Sequence, residues 1–275
     1  MGAISQLRVI IRTSIPFVMA RRKESGGFGA TPRLPATIED TYHALHILQI
    51  AREHGIYQDQ GPYDPVRDES LHSYLAASRQ RLQVDVHTRF QLLWCTRNIG
   101  QGTDHQEVRN TVAARLQVSE VLEDWYYYAR ILREILEVQA EDFADIHVPT
   151  SVKAGNWRTV REAWMHLYLS HVFRYHLPLP IPELIAWFRA DQNGDGGFGF
   201  FPRTTSFVEN CYASLRSLAF LKSTPRNPDL ALRFLSGCQT GSGGFGRSFR
   251  AASFLDTTWY GLAALGILLS VPSND

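Results

Sequence analysis

The chain has 275 residues, with 28 Lys and Arg against 27 Asp and Glu for a net charge of +1. That balance speaks against a polyanion-coating protein or an acidic tail, so nucleic acid is not an expected partner. Hydrophobic residues make up 44% and aromatics 12%, which supplies a sizeable core and excludes a disordered chain.

Along the chain the first strong signal is Gly-Gly-Phe-Gly at 26–29, nine residues after Phe17. Thr37 with Asp40 then reads as a capping box, followed by Ala44, Leu45 and Leu48 at helical spacing. Two later stretches, 84–95 and 122–126, repeat that acid-then-apolar pattern without the glycines. An outer helix is expected over 181–191, then Gly-Gly-Phe-Gly again at 196–199, with Ser206 as the expected N-cap of an inner helix. A further outer helix over 228–237 leads to the third Gly-Gly-Phe-Gly at 243–246 and an N-cap at Ser253. The opening of 191–196 looks like a calcium loop, but Pro202 stands where a bidentate Glu is required.

Aligned on their glycines, the three strong copies share more than the turn. The eighth residue is Arg33, Arg203 or Arg250, the fourteenth is Glu39, Glu209 or Asp256, and an aromatic follows at Tyr42, Tyr212 or Trp259. Copies two and three lie 47 residues apart and copies one and two 170 apart, so degenerate units fill the gap. Strand signals are scarce. The expectation is an all-α fold in one domain spanning 1–275, five or six helix pairs stacked as an α/α toroid or left open as a solenoid.

Such a chain has little need of cross-links: Cys95, Cys211 and Cys238 are odd in number and form no CxxC pair. No transmembrane segment is expected, because Arg8 and Arg12 break the N-terminal apolar stretch and the run over 260–271 falls short of the roughly 20 residues needed. The expected location is cytoplasmic. The base content is 25 Arg and three Lys, the side-chain balance of a phosphate or carboxylate binder or of codon bias.

The thrice-repeated Gly-Gly-Phe-Gly, preceded by Gln192 and Gln239 and followed by a Tyr-bearing helix, resembles the prenyltransferase and squalene-oxidase repeat. That unit builds the toroids of protein prenyltransferase β subunits and class II terpene cyclases. The resemblance implies an isoprenoid or other lipid-like substrate, and a ring would bring Arg33, Arg203 and Arg250 together at the mouth as an anion site. Each Arg could instead pair with the acid six residues on. Val208-Glu209-Asn210-Cys211-Tyr212 after Arg203 is similar to the prenyltransferase metal and diphosphate motif, which implies Tyr212 for diphosphate and Glu209 with Cys211 for a metal. The family's third zinc ligand falls at Trp259, so a zinc centre is not expected, and zinc or magnesium stays open as a cofactor. Val84-Asp85-Val86-His87-Thr88 offers His87 as a further phosphate contact. On the cyclase side Thr37-Ile38-Glu39-Asp40-Thr41 is similar to the proton-donor motif, making Glu39, Asp40 and the aligned Asp256 the candidate catalytic carboxylates. The reading is a prenyltransferase-like enzyme; its alternatives are a class II cyclase-like enzyme and a non-catalytic lipid-binding or partner-binding toroid. A helical partner subunit or a homodimer would complete it.

Overall fold

The double glycine of each strong turn lets the chain reverse sharply between an outer and an inner helix. The computed structural model describes residues 3–56, 63–80, 85–139, 146–154 and 157–270. Val84, Val271 and the terminal Pro-Ser-Asn-Asp lie outside them. Six helix pairs follow one another: α1 (Ala3–Met19) with α2 (Ile38–Glu53), α3 (Glu69–Gln80) with α4 (Val86–Asn98), and α5 (His105–Leu116) with α6 (Leu122–Arg130). Next come the single turn α7 (Thr150–Lys153) with α8 (Val160–Phe173), α9 (Ile181–Ala190) with α10 (Val208–Phe220), and α11 (Pro228–Gly237) with α12 (Leu255–Ser270). A π-helical turn, Ile131–Ile135, prolongs α6. Among the described residues the only sheet is a two-residue antiparallel ladder, β1 (Phe245–Gly246) with β2 (Ser253–Phe254).

The even-numbered helices form the inner wall. Each packs on the next, from α2 through α4, α6, α8 and α10 to α12, and α12 packs back on α2. The ring is therefore closed.

The glycines explain how neighbouring units lock. Gly26, Gly196 and Gly243 have φ of 91°, 94° and 90°, the left-handed region that costs glycine nothing. A Cβ there would lie 2.0 to 2.2 Å from the main chain of Ser70, Leu230 and Thr13 respectively. Each turn thus abuts the outer helix of the following unit, and for the third turn that helix is α1. Gln192 donates to the Asn227 carbonyl at 2.9 Å. Its aligned partner Gln239 donates to the Ile10 carbonyl at 3.1 Å, and Ser14 donates to the Gly243 carbonyl at 2.8 Å. The same joint recurs, and its last use closes the circle.

The phenylalanines of the three turns, Phe28, Phe198 and Phe245, are fully buried. The amide of Phe28 donates to Thr41 Oγ1 at 3.0 Å and that of Phe245 to Thr258 Oγ1 at 2.9 Å. Cys211 occupies the corresponding place in the second repeat. Thr37 caps α2 as expected, accepting from the Asp40 amide. The other two expected caps do not form. The N-cap of α10 is Phe207, and Ser206 donates instead to Asp195 Oδ1 at 2.8 Å, while Ser253 lies in β2. Main chain from the neighbouring loop does part of the cap's work, since Val208 N donates to Arg247 O and Val160 N to Phe200 O, both at 3.0 Å.

Candidate active site in the ring

Helical periodicity sends one residue in three or four of each inner helix toward the ring axis. One turn in from the N-termini stand six aromatics, one per helix: Tyr42, Phe90, Tyr126, Trp164, Tyr212 and Trp259. Tyr42 meets Phe90 and Trp259 edge-on at 5.9 and 6.1 Å, and Tyr212 meets Trp259 at 5.1 Å. The Trp164 indole donates to the Tyr126 hydroxyl at 3.1 Å. This belt surrounds a cavity of about 870 Å³, with Phe90 fully buried behind its wall.

Four residues further along two of these helices the lining turns polar, Tyr126 being followed by Arg130 and Tyr212 by Arg216. Arg130 binds Glu134, on the π-helical turn, through two hydrogen bonds of 2.8 and 2.9 Å. Burial works against the Arg130 charge, but Glu134 with the Tyr42 and Tyr126 hydroxyls outweighs it and holds its pKa well above the usual value. Arg216 donates to the Tyr212 hydroxyl at 2.6 Å and its guanidinium lies 4.4 Å from the Trp164 ring centre. Among the described residues no carboxylate forms an ion pair with it. The inner end of the cavity therefore holds two guanidiniums against one carboxylate. His43 and His87 add no charge near neutral pH, because burial pulls them down to about 3 and about 4.

At the mouth, where the inner helices begin, Glu123 pairs with Arg161 and Glu209 with Arg247. The second oxygen of Glu209 is buried without a partner, as is the amide nitrogen of Asn210 beside it. Asp256 also lines the cavity, and burial raises its carboxyl above the usual carboxylate range; burial, with Asp256 as a further negative neighbour, raises Glu209.

The candidate residues fall into two groups. Asp256, Glu209, Tyr212 and His87 line the cavity, His87 stacked on Tyr127 at 4.3 Å with the Gln91 amide against its Nε2. Arg33, Arg203 and Arg250 do not line it. They are exposed at the tips of the turns, and none pairs with the acid six residues on. Arg203 and Arg250 have φ of 71° and 62°, which carries the chain outward at the point where the aligned sequence alone aims it at the mouth. Glu39 is exposed beside the mouth rather than inside it, and Asp40 accepts the Thr37 hydroxyl at 2.6 Å as part of the α2 cap.

Cys211 faces the Gly-Gly-Phe-Gly turn, not the cavity. Burial lifts its thiol well above the usual value against the pull of the Phe198 amide. With Glu209 committed to Arg247 and Trp259 in the third place, this donor set does not fit a zinc centre. Among the described residues no other group of three His, Cys, Asp or Glu is arranged for a metal. Sequence reading passed over Arg130, Arg216, Arg161 and Arg247. The first two carry a signal, the spacing Tyr-x-x-x-Arg, which stacks both side chains on one face of a helix.

Comparison with protein families matches residues 3–245 and 182–272 to the prenyltransferase alpha-alpha toroid domain. The chain belongs to that family. Comparison with curated proteins gave no significant match. At the level of the domain the toroid family ties the chain to prenyl chemistry, and the aromatic belt is the corresponding feature of its cavity. No helix among the described residues is long and apolar enough to cross a membrane.

Proposed function

We propose that this toroid is a prenyltransferase-like enzyme that holds an isoprenoid diphosphate along its cavity, the hydrocarbon within the aromatic belt and the anionic group on Arg216 and Arg130. Arg216 carries the reading. It is a cation inside the ring, hydrogen-bonded to Tyr212 and, among the described residues, without an ion pair of its own, the nearby Glu134 being bonded to Arg130, at one end of a space of about 870 Å³. A desolvated guanidinium with unused donors is costly until an anion meets it. In this arrangement Arg130 and Arg216 stabilise the charge that builds on departing diphosphate, and the ring faces of Tyr126, Tyr212 and Trp259 stabilise the allylic cation. The acceptor is then a small nucleophile or a second prenyl chain. Calorimetric titration with farnesyl and geranylgeranyl diphosphate, with farnesol as the uncharged control, tests the site. Arg216→Leu should cost about 1.5 to 3 kcal/mol of diphosphate affinity and leave farnesol binding nearly unchanged. Failure of the intact protein to bind any prenyl diphosphate rejects the proposal.

Asp256 favours a second reading. Its carboxyl, raised by burial above the usual carboxylate range, would stand at the opposite end of the cavity from Arg216, and on neighbouring α10 the mouth and inner levels, marked by Glu209 and Arg216, are about 10 Å apart along the axis. A prenyl diphosphate lying between them would present its distal alkene to the acid and keep its diphosphate, as proton-initiated cyclisation requires. Mass spectrometry separates the readings. Released pyrophosphate means transfer, an isomer of the substrate means cyclisation, and binding without either product means a lipid-binding module.

A further inference from the structure

The three arginines shared by the strong repeats are left over once the cavity is assigned. Each projects from a turn tip beside an exposed large apolar residue: Arg33 next to Leu34, Arg203 two residues after Phe201, and Arg250 next to Phe249. Leu34, Phe201 and Phe249 keep 52%, 52% and 50% of their surface exposed, and Phe254 and Val121 extend the series around the opening.

All of these residues precede an inner helix, so they stand at the end of the ring where the cavity opens. The bonds from Val160 to Phe200 and from Val208 to Arg247 tie the second and third turns to the starts of the preceding inner helices, α8 and α10. Two of the arginines hold a left-handed backbone that ordinary side chains avoid. Of the acids at this end Glu39 is exposed beside the mouth, while Glu123 and Glu209, one level further in, are already paired with Arg161 and Arg247.

We infer that this rim docks on the surface of an anionic lipid bilayer. The apolar tips enter the boundary between headgroups and acyl chains, and Arg33, Arg203 and Arg250 meet the lipid phosphates. Three pairs of one cation and one half-exposed apolar side chain, set at different offsets in their turns, match that layered surface, which is negative outside and apolar beneath. A membrane seated there opens directly onto the belt-lined cavity, so a bilayer-dissolved apolar substrate passes in without crossing water. The docking surface stands whether or not the cavity takes an isoprenoid diphosphate, and the test reads lipid partition rather than turnover.

Sedimentation of the full chain with vesicles of phosphatidylcholine alone, and of phosphatidylcholine mixed with phosphatidylglycerol, tests it. The protein should sediment with the mixed vesicles and be released by added salt, since exposed charges are screened. Replacing all three arginines with Gln should weaken partition about tenfold or more, and Leu34→Ser with Phe201→Ser and Phe249→Ser should do the same. Both triple variants should keep the helical circular dichroism and the prenyl diphosphate affinity of the parent, because none of the six residues lines the cavity. Absence of partition by the intact protein overturns the inference, as does partition by both folded variants that matches the parent's. So does a rim that proves instead to join two copies, seen as a dimer made monomeric by the same substitutions without any vesicle binding.

Discussion

Asp256 and Glu39 come from aligned positions in two repeats, yet only the first faces the cavity. If the cavity performs proton-initiated chemistry, Asp256→Asn should abolish turnover while leaving substrate binding intact, and Glu39→Gln should leave turnover within a few-fold. Because the acid acts in its protonated form, that activity should fall as pH rises through the raised pKa of Asp256; a rate that climbs over that range would exclude Asp256 as the donor. Cys211 makes a separate case. It fills the place that Thr41 and Thr258 fill in the other turns, so Cys211→Thr should preserve fold and melting temperature to within roughly 1 kcal/mol, measured by thermal denaturation. The aligned columns make Tyr212, Asp256 and Glu209 legible from sequence. The arginines at the turn tips are misleading in the same columns, because all three stand exposed outside the cavity, two of them, Arg203 and Arg250, on a left-handed backbone that alignment does not reveal. Arg130 and Arg216 sit in unremarkable helical stretches, and only their spacing from a tyrosine marks them.

At the level of elements, α9 (Ile181–Ala190) and α11 (Pro228–Gly237) can be read almost to the residue, since Pro near the start and a Gly-rich turn after the end delimit them. The pairs α5 with α6 and α7 with α8 have no such turns, which is why only fragments of them can be aligned. Asp191 closes α9 with its side chain buried and neither oxygen in a well-formed hydrogen bond. Burial pushes its carboxyl up to about 7 against the pull of the Gly199 amide. An acid with a raised folded pKa gives full stability below its unfolded value near 4 and loses it as pH rises toward 7. Asp191→Asn should therefore raise the melting temperature increasingly from pH 4 to pH 7 and by a constant amount above, about 1 to 2 kcal/mol; a gain independent of pH would show that ionisation is not its source. The joints between units are just as testable. Gly243→Ala puts a methyl 2.0 Å from the Thr13 carbonyl at a φ of 90°, so it should cost about 2 kcal/mol or more in chemical denaturation.

For the whole molecule the decisive property is that α1 packs on both α2 and α12. An open stack of repeats can fray from either end, whereas a ring has no ends to fray. Unfolding should accordingly appear as one transition by both helical and tryptophan signals, and removal of residues 1–19 should abolish it rather than shift it. A chain that still melted sharply without α1 would show that closure is dispensable. Sequence reading arrives at the ring through the repeat's resemblance and not through the closing contact itself, which joins Ser14 to Gly243, 229 residues away, and which no local pattern encodes. That separation also orders events during biosynthesis. The first helix of the ring to be made finds its final neighbour only after the other five pairs have followed. Until then its apolar face and the last turn of the ring have no partner, so the slow and vulnerable step in forming the ring is the meeting of α1 with the third turn.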